Sequence, residues 1–315
     1  MTPTTSIDDR AGHQNGRGAV HLSLRMRVVT AVFLLLAVPL VAQPPRPLPD
    51  QDAFVREVRK HVQTDDERQR GYAYTETRRQ RKLDKAGRSK SESVDIVESY
   101  PGFPGEPRWE RPIAKDGKPV PAAELDKQDR KRQRAAEEYV RTAARQTDAD
   151  RAKIERERHK KHLEREAIVD DAFRVFEYRM RGREAIDGHD TIAFSMHPRP
   201  NPQTRTRIGG MLRHFQGTAW ISELDHELVK LEVEVLDDLS IGLGLLARVH
   251  KGSKLAFERR KVGGEVWMPL QATYTASARV LLFRSMRVGG TSEFSNYRKF
   301  TVDTSTTYET PLPGQ

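Results

Sequence analysis

Apolar positions along the chain follow two different periods, and the switches between them mark its organisation. Over residues 50–64, Phe54, Val55, Val58 and Val62 recur at helical spacing among charged residues, which predicts a short amphipathic helix. Gly71 stops it. Tyr72, Tyr74 and Thr75 then open a β-prone run to Leu83, and Asp84-Lys85-Ala86-Gly87 supplies turn chemistry. Further strands are expected at 91–100, around Val94, Ile96 and Val97, and from Trp109 to Ile113. They are separated by Pro101-Gly102-Phe103-Pro104-Gly105 and followed by a turn at Asp116-Gly117-Lys118-Pro119. These pieces read as an antiparallel meander.

Between Pro121 and Glu166 the pattern changes to Lys, Arg, Glu, Asp, Gln and Ala, with Tyr139 almost alone as an aromatic residue. The segment reads as helical and mostly solvated. Ala136, Tyr139, Val140, Ala143 and Ala144 form one weak apolar stripe, and Thr147-Asp148-Ala149-Asp150 looks like a new N-cap, so two helices are expected. Lys131, Arg134, Arg141 and Arg151 interrupt every heptad register, which argues against a coiled coil.

Beyond Ala172 a β pattern is expected at once, through Phe173, Val175, Phe176 and Tyr178, a turn at Asp187-Gly188, and then Ile192, Phe194 and Met196. Period two is clearest over 228–236. There Val229, Leu231, Val233 and Val235 alternate with Lys230, Glu232 and Glu234. Gly263-Gly264 and Gly289-Gly290 read as hairpin turns, with strands near 255–260, 270–276, 280–283 and 292–302. The sum is an α+β chain with a large antiparallel sheet. One face of such a sheet meets water, so the apolar face has to be covered by helices or curl around something.

An apolar run from Val28 to Val41, preceded by Arg25 and Arg27 and closed by Ala42, reads as an export signal. It is short for a transmembrane span, and Gln43-Pro44-Pro45-Arg46-Pro47-Leu48-Pro49 after it is extended and helix-hostile, so cleavage after Ala42 and a periplasmic product are expected, with an uncleaved segment acting as a single N-terminal anchor as the lesser alternative. Met26 reads as the start, leaving residues 1–25 as a polar leader, 26–42 as signal, 43–302 as a single domain with the charged insertion at 121–167, and 303–315 as a tail. The chain has 315 residues and no cysteine, so neither disulfides, zinc–thiolate sites nor a lipid anchor follow the signal. Its net charge of +10 would suggest nucleic acid in the cytoplasm. Export turns that charge toward an anionic membrane surface or an envelope protein, with a plain solvated surface as the bland reading.

Candidate chemistry is sparse. Ser240-Ile241-Gly242-Leu243-Gly244 lacks the third glycine and the Lys-Ser/Thr of a phosphate loop and reads as a hydrophobic bend. Glu155, His159 and His162 share helical spacing, but so charged a helix is better read as solvated surface than as a metal site. No G-x-S-x-G elbow occurs, and the acidic pairs Asp170-Asp171 and Asp237-Asp238 diverge on any regular element and suit turns and caps. His189, His197, His214, His226 and His250 are scattered one per element. The expectation is a binding protein with no catalytic residue, metal or cofactor.

What recurs is a set of apolar and aromatic residues expected on one side of successive strands: Trp220, Leu231, Val233, Val235, Leu245, Phe257, Trp267, Tyr274 and Leu282. Each suits an ordinary core, and together they also suit the wall of an acyl-chain pocket, where burial supplies about 0.8 kcal/mol per methylene. The order of features carries a resemblance. The export signal and N-terminal helix are followed by Tyr72-Ala73-Tyr74-Thr75-Glu76, Asp116-Gly117-Lys118-Pro119, the charged insertion, Gly217-Thr218-Ala219-Trp220 with Leu228-Val229-Lys230-Leu231-Glu232, and Gly264-Glu265-Val266-Trp267-Met268-Pro269. This series resembles the periplasmic lipoprotein-carrier (LolA/LolB-like) superfamily over about residues 50–302.

The resemblance implies an open antiparallel half-barrel covered by helices, whose apolar face holds lipid or lipoprotein acyl chains without catalysis. The long insertion and the high basic charge depart from a minimal carrier. They leave a second expectation, an envelope scaffold or stress sensor that takes a protein partner through its charged helices, and place nucleic acid last.

Overall fold

The computed structural model describes residues 46–104, 106–241, 247–280 and 284–300. Residues 1–45 and 301–315 lie outside these, and with them the expected leader, signal and tail. From Leu48 onward the described residues form one compact unit. Helix α1 (Gln51–Arg70) starts where Asp50 accepts a 2.8 Å hydrogen bond from the Ala53 N–H, and it ends at Gly71, the expected stop.

Strands β1 (Tyr72–Leu83), β2 (Ser89–Tyr100), β3 (Trp109–Lys115) and β4 (Lys118–Pro119) form the expected meander. Asp116 and Gly117, both at positive φ, turn β3 into β4. Two helices follow, α2 (Ala122–Ala144) and α3 (Asp148–Val175), and Thr147 and Asp150 close a reciprocal capping box at the start of α3. The remainder is β5 (Phe176–Ile186), β6 (His189–Pro198), α4 (Arg207–Leu212), β7 (Phe215–Ser222), β8 (Leu228–Val235), β9 (Leu239–Ile241), β10 (Ala247–Val249), β11 (Lys254–Val262), β12 (Val266–Val280) and β13 (Arg284–Lys299).

These strands make one antiparallel sheet in the order β4-β3-β2-β1-β13-β12-β11-β8-β7-β6-β5, with β9 and β10 attached through β12. Its ends do not pair with each other, so the chain is an α+β fold built on an open, curved half-barrel. The last strand, β13, sits beside the first, joining the N-terminal meander to the C-terminal half.

Two expectations fail. Phe173 and Val175 belong to the last turn of α3 rather than to a strand, because a short apolar run cannot by itself distinguish a buried helix end from a strand. Gly289 and Gly290 are inside β13, paired with Thr275 and Tyr274, and are not a turn. The Tyr274 ring lies against Gly290 so closely that a Cβ there would stand 2.5 Å from its Cε1, so the glycine makes room for an aromatic neighbour across the ladder. The strands expected at 270–276 and 292–302 therefore fall, as far as the described residues go, within two long ones, β12 and β13, while residues 281–283 of the one expected at 280–283 lie outside the described residues.

The main core lies where α1 meets the sheet. Phe54 and Val58 of α1 and Val175 of α3 pack with Phe176, Ile192, Phe194, Met196, Ala219 and Ile221, and the Phe54 and Phe194 rings stack at 5.8 Å. This contact defines the inner, helix-covered face of the sheet. A smaller cluster joins Tyr72, Val266 and Met268.

Candidate functional site: the inner wall of the sheet

Residues paired directly across an antiparallel ladder point to the same face, so register decides which predicted wall residues stand together. Phe194 pairs with Ala219, Ala219 with Leu231, and Leu231 with Phe257, which pairs in turn with Ala272. One rung away, Gly217 pairs with Val233, Val233 with Leu255, Leu255 with Tyr274, and Tyr274 with Gly290. Leu231, Val233, Phe257 and Tyr274 thus share the inner face with the core, and Leu255 joins them. Leu255 is not among the predicted wall residues, although strict alternation from Phe257 places it there.

The wall is half-buried rather than filled. Leu231 and Val233 pack against the edge of the main core, while Leu255 keeps 41% of its surface exposed. Val235 is fully inside the protein. Leu245 and Leu282 lie outside the described residues.

Trp220 is not on this wall. It pairs with Lys230 and Ala193 on the outer face, where its indole N–H donates to Glu184 at 2.8 Å and the Lys230 ammonium sits over the ring. Along β7 it alternates with Ala219 and Ile221, which are buried in the core, and that alternation alone turns it outward. Trp267 is 2% exposed and is held in a buried polar knot rather than presented to an open wall. Its indole N–H donates to Asp225, which also accepts from Lys261. Its carbonyl accepts from Gln69 and Arg259.

That knot fixes the covering helix. Arg68 of α1 donates to the buried Glu227 carboxylate, which also faces the buried Arg259 at 3.6 Å, and Arg259 donates to the Leu228 carbonyl at 3.1 Å. The C-terminal end of α1 is thereby tied to the β7–β8 turn and to the β11–β12 hairpin. Burial pushes the Asp225 carboxyl up, but hydrogen bonds from Lys261 and Trp267 outweigh it, and the group lies below its ordinary range. At the other end of the helix His226, at positive φ, lies against Phe54 at 4.8 Å and stacks on His61 at 5.7 Å. Burial, and next the charge of His61, holds its pKa below that of a free imidazole.

The histidines and acidic pairs have structural roles. His214 contacts Asp237, His250 contacts Asp238 at 3.0 Å, and His189 lies edge-on to Trp267. Asp170 pairs with Arg59 of α1. Asp171 is wholly buried and accepts from the Arg205 and Thr206 N–H groups and from the Thr206 hydroxyl at 2.8–3.0 Å, positioning α4. In α3, Glu155 pairs with Arg158, and His162 with Glu166, on solvated surface. No group of three potential metal ligands occurs among the described residues.

The outer face carries a different feature, an open groove of about 630 Å³ running across the strands. Its sides are two outer rows: Ser195, Thr218, Glu232, Ala256, Thr273 and Thr291, and His197, Gln216, Glu234, Lys254, Thr275 and Arg81. Gly217, Val233, Leu255, Tyr274 and Gly290 of the second wall rung also line it between those rows, so apolar groups and charges of both signs border the groove.

The insertion contributes no core. Helix α2 has no buried residue and leaves Val140 62% exposed. It is held to the sheet by a bidentate Arg111–Asp129 pair at 2.7 and 2.8 Å, by Phe103 stacked on Tyr139, and by Arg132 over Phe103 and Trp109.

No helix among the described residues is long and apolar enough to cross a membrane. No family model matches the chain, and no curated protein matches it. Among solved structures it is similar to a putative outer membrane lipoprotein-sorting protein domain from Vibrio parahaemolyticus, at 10% identity and a TM-score of 0.31, over 78% of this chain and 94% of that one. It is also similar to a LolA superfamily protein from Nitrosomonas europaea, at 6% identity and a TM-score of 0.24, over 79% and 94% of the two chains. A third likeness is to the MucA/MucB complex of Pseudomonas aeruginosa, at 9% identity and a TM-score of 0.23, over 79% and 99%.

Proposed function

We propose that the protein is an exported, non-catalytic carrier that shelters acyl chains of lipids or lipoproteins against the inner wall of its sheet. The observation that carries this reading is the half-buried apolar wall of Leu231, Val233, Leu255, Phe257 and Tyr274 beside a filled core. An ordinary core would close over Leu255. A hydrocarbon chain laid along these rungs would remove the remaining apolar surface from water, at about 25 cal/mol per Å².

The wall has no charged side chain in these two rungs, which suits a ligand recognised by area rather than by hydrogen bonds. The apolar segment before Ala42 supports export, and the expected site of action is the periplasm. Protein purified under native conditions from a membrane-containing host should release acyl lipid on organic extraction and show a lipid-bound species by native mass spectrometry. Recovery of only the bare polypeptide would contradict the proposal.

A second reading rests on α2, an exposed helix with no buried residue, joined to the sheet by a few polar and aromatic contacts. Such a helix fits a partner-binding device in an envelope scaffold. Replacing residues 122–160 with a short linker leaves Asp171 and Val175 in place and separates the readings. Lipid retention after the deletion supports the carrier, whereas loss of lipid would put the ligand under the helices.

A further inference from the structure

We infer a second interaction surface: an arginine cluster on the outer face, at the end of the sheet formed by β10, β12 and β13, that docks the protein onto anionic lipid headgroups. Arg248 and Arg279 are directly paired across the β10–β12 ladder. Like charges directly opposite one another destabilise a sheet, so the pairing is a cost that an anion would remove. Arg287 pairs with Ser277, two residues from Arg279 and therefore on the same face, and Arg81 follows through Gly289 and Thr275. All four arginines are exposed.

The polar neighbours of Arg248 and Arg279 are hydroxyls, and Arg81 stands opposite Glu92 across the β1–β2 ladder. Ser240 flanks Arg248 across one ladder, and Ser285 flanks Arg279 across the next. Among the described residues no carboxylate is within ion-pair distance of Arg248 or Arg279. Asp238, the acid that senses Arg248, is engaged by the Lys251 N–H at 3.1 Å and by His250. Among the sheet's other cations, Lys230 pairs with Glu232 and Glu258, Arg111 with Glu98 and Asp129, and Arg78 with Glu76 and Glu110. Basic clusters of this kind are drawn to anionic lipid.

A membrane is favoured over a soluble polyanion by the composition beside the cluster. The sequence joining β9 to β10 reads Gly242-Leu243-Gly244-Leu245-Leu246, and that joining β12 to β13 reads Leu281-Leu282-Phe283, both without a charge. Those residues lie outside the described ones, and the proposed site consists of the arginines alone. It differs from the expectation that basic residues of the insertion meet headgroups, and it is on the opposite face from the acyl wall.

The test is flotation of the full chain with vesicles of phosphatidylcholine, with and without about 30% phosphatidylglycerol. The readout is the ratio of the two partition coefficients, so that any segment binding both vesicles through hydrocarbon contact cancels. The ratio should be well above one, fall on raising salt from about 0.05 to about 0.5 M, and drop about a hundredfold in an R248S/R279S/R287S variant. The R248K/R279K/R287K variant should float like the parent, which separates lost charge from lost folding.

A ratio near one for the parent, or an unchanged ratio in the serine variant, would overturn the inference. So would tighter binding to a single-stranded oligonucleotide than to the anionic vesicles. Leu255→Asp, on the inner wall, should leave the ratio intact, so failure of the carrier reading and failure of this one give different results.

Discussion

Asp171 shows how a residue with apparent chemical promise can be consumed by structure. Burial pushes its carboxyl up, and the hydrogen bonds from Arg205 and Thr206 more than offset it, so the group titrates below the usual aspartate range. A carboxyl with a depressed native pKa contributes stability that is present above its unfolded value near 4 and is lost as pH falls through the lower native value. Asp171→Ala should therefore cost about 3 kcal/mol in urea unfolding at neutral pH, and much less at about pH 2. Gly290 makes a steric argument of the same kind. Gly290→Val should force the Tyr274 ring off its site and cost about 1–3 kcal/mol by thermal unfolding, because the clash is with the body of a rigid ring.

Helix α1 is the element that makes one side of the inner face a core and leaves the other a wall. Its N-terminal half covers β6 through Phe54 and Val58, and its C-terminal end is tied by Arg68 and Gln69 to Glu227 and Trp267. Glu227→Ala would strand Arg259 in a buried site without its carboxylate. About 3 kcal/mol of stability should be lost, and amide exchange should rise first in the last two turns of α1.

Most elements were legible from periodicity, because the capping of α3 by Thr147 and the alternation in β8 are local signals. The faces were less so. Trp220 takes the outer side because Ala219 and Ile221, its neighbours along β7, are the residues buried in the core, and the polar knot around Trp267 depends on Arg68 and Asp225, far away in sequence. Register and long-range pairing decide such placements, and neither has a local signature.

At the scale of the molecule the two sheet faces divide the work: an apolar inner wall continuous with the core, and a polar outer face with a groove and an arginine cluster. Adjacent residues of β11 probe this division directly. Leu255 points to the inner wall and Lys254 into the outer groove, one residue apart on the same strand. The decisive measurement is a paired titration of Leu255→Asp and Lys254→Asp with a fluorescent long-chain fatty acid, against the unmodified chain. The unmodified chain should bind, Lys254→Asp should bind with the same affinity, and Leu255→Asp should lose at least tenfold, since a carboxylate against hydrocarbon has no partner to offset its desolvation. Loss of binding in Lys254→Asp with retention in Leu255→Asp, or no binding by any of the three, would contradict the inner wall as the acyl site.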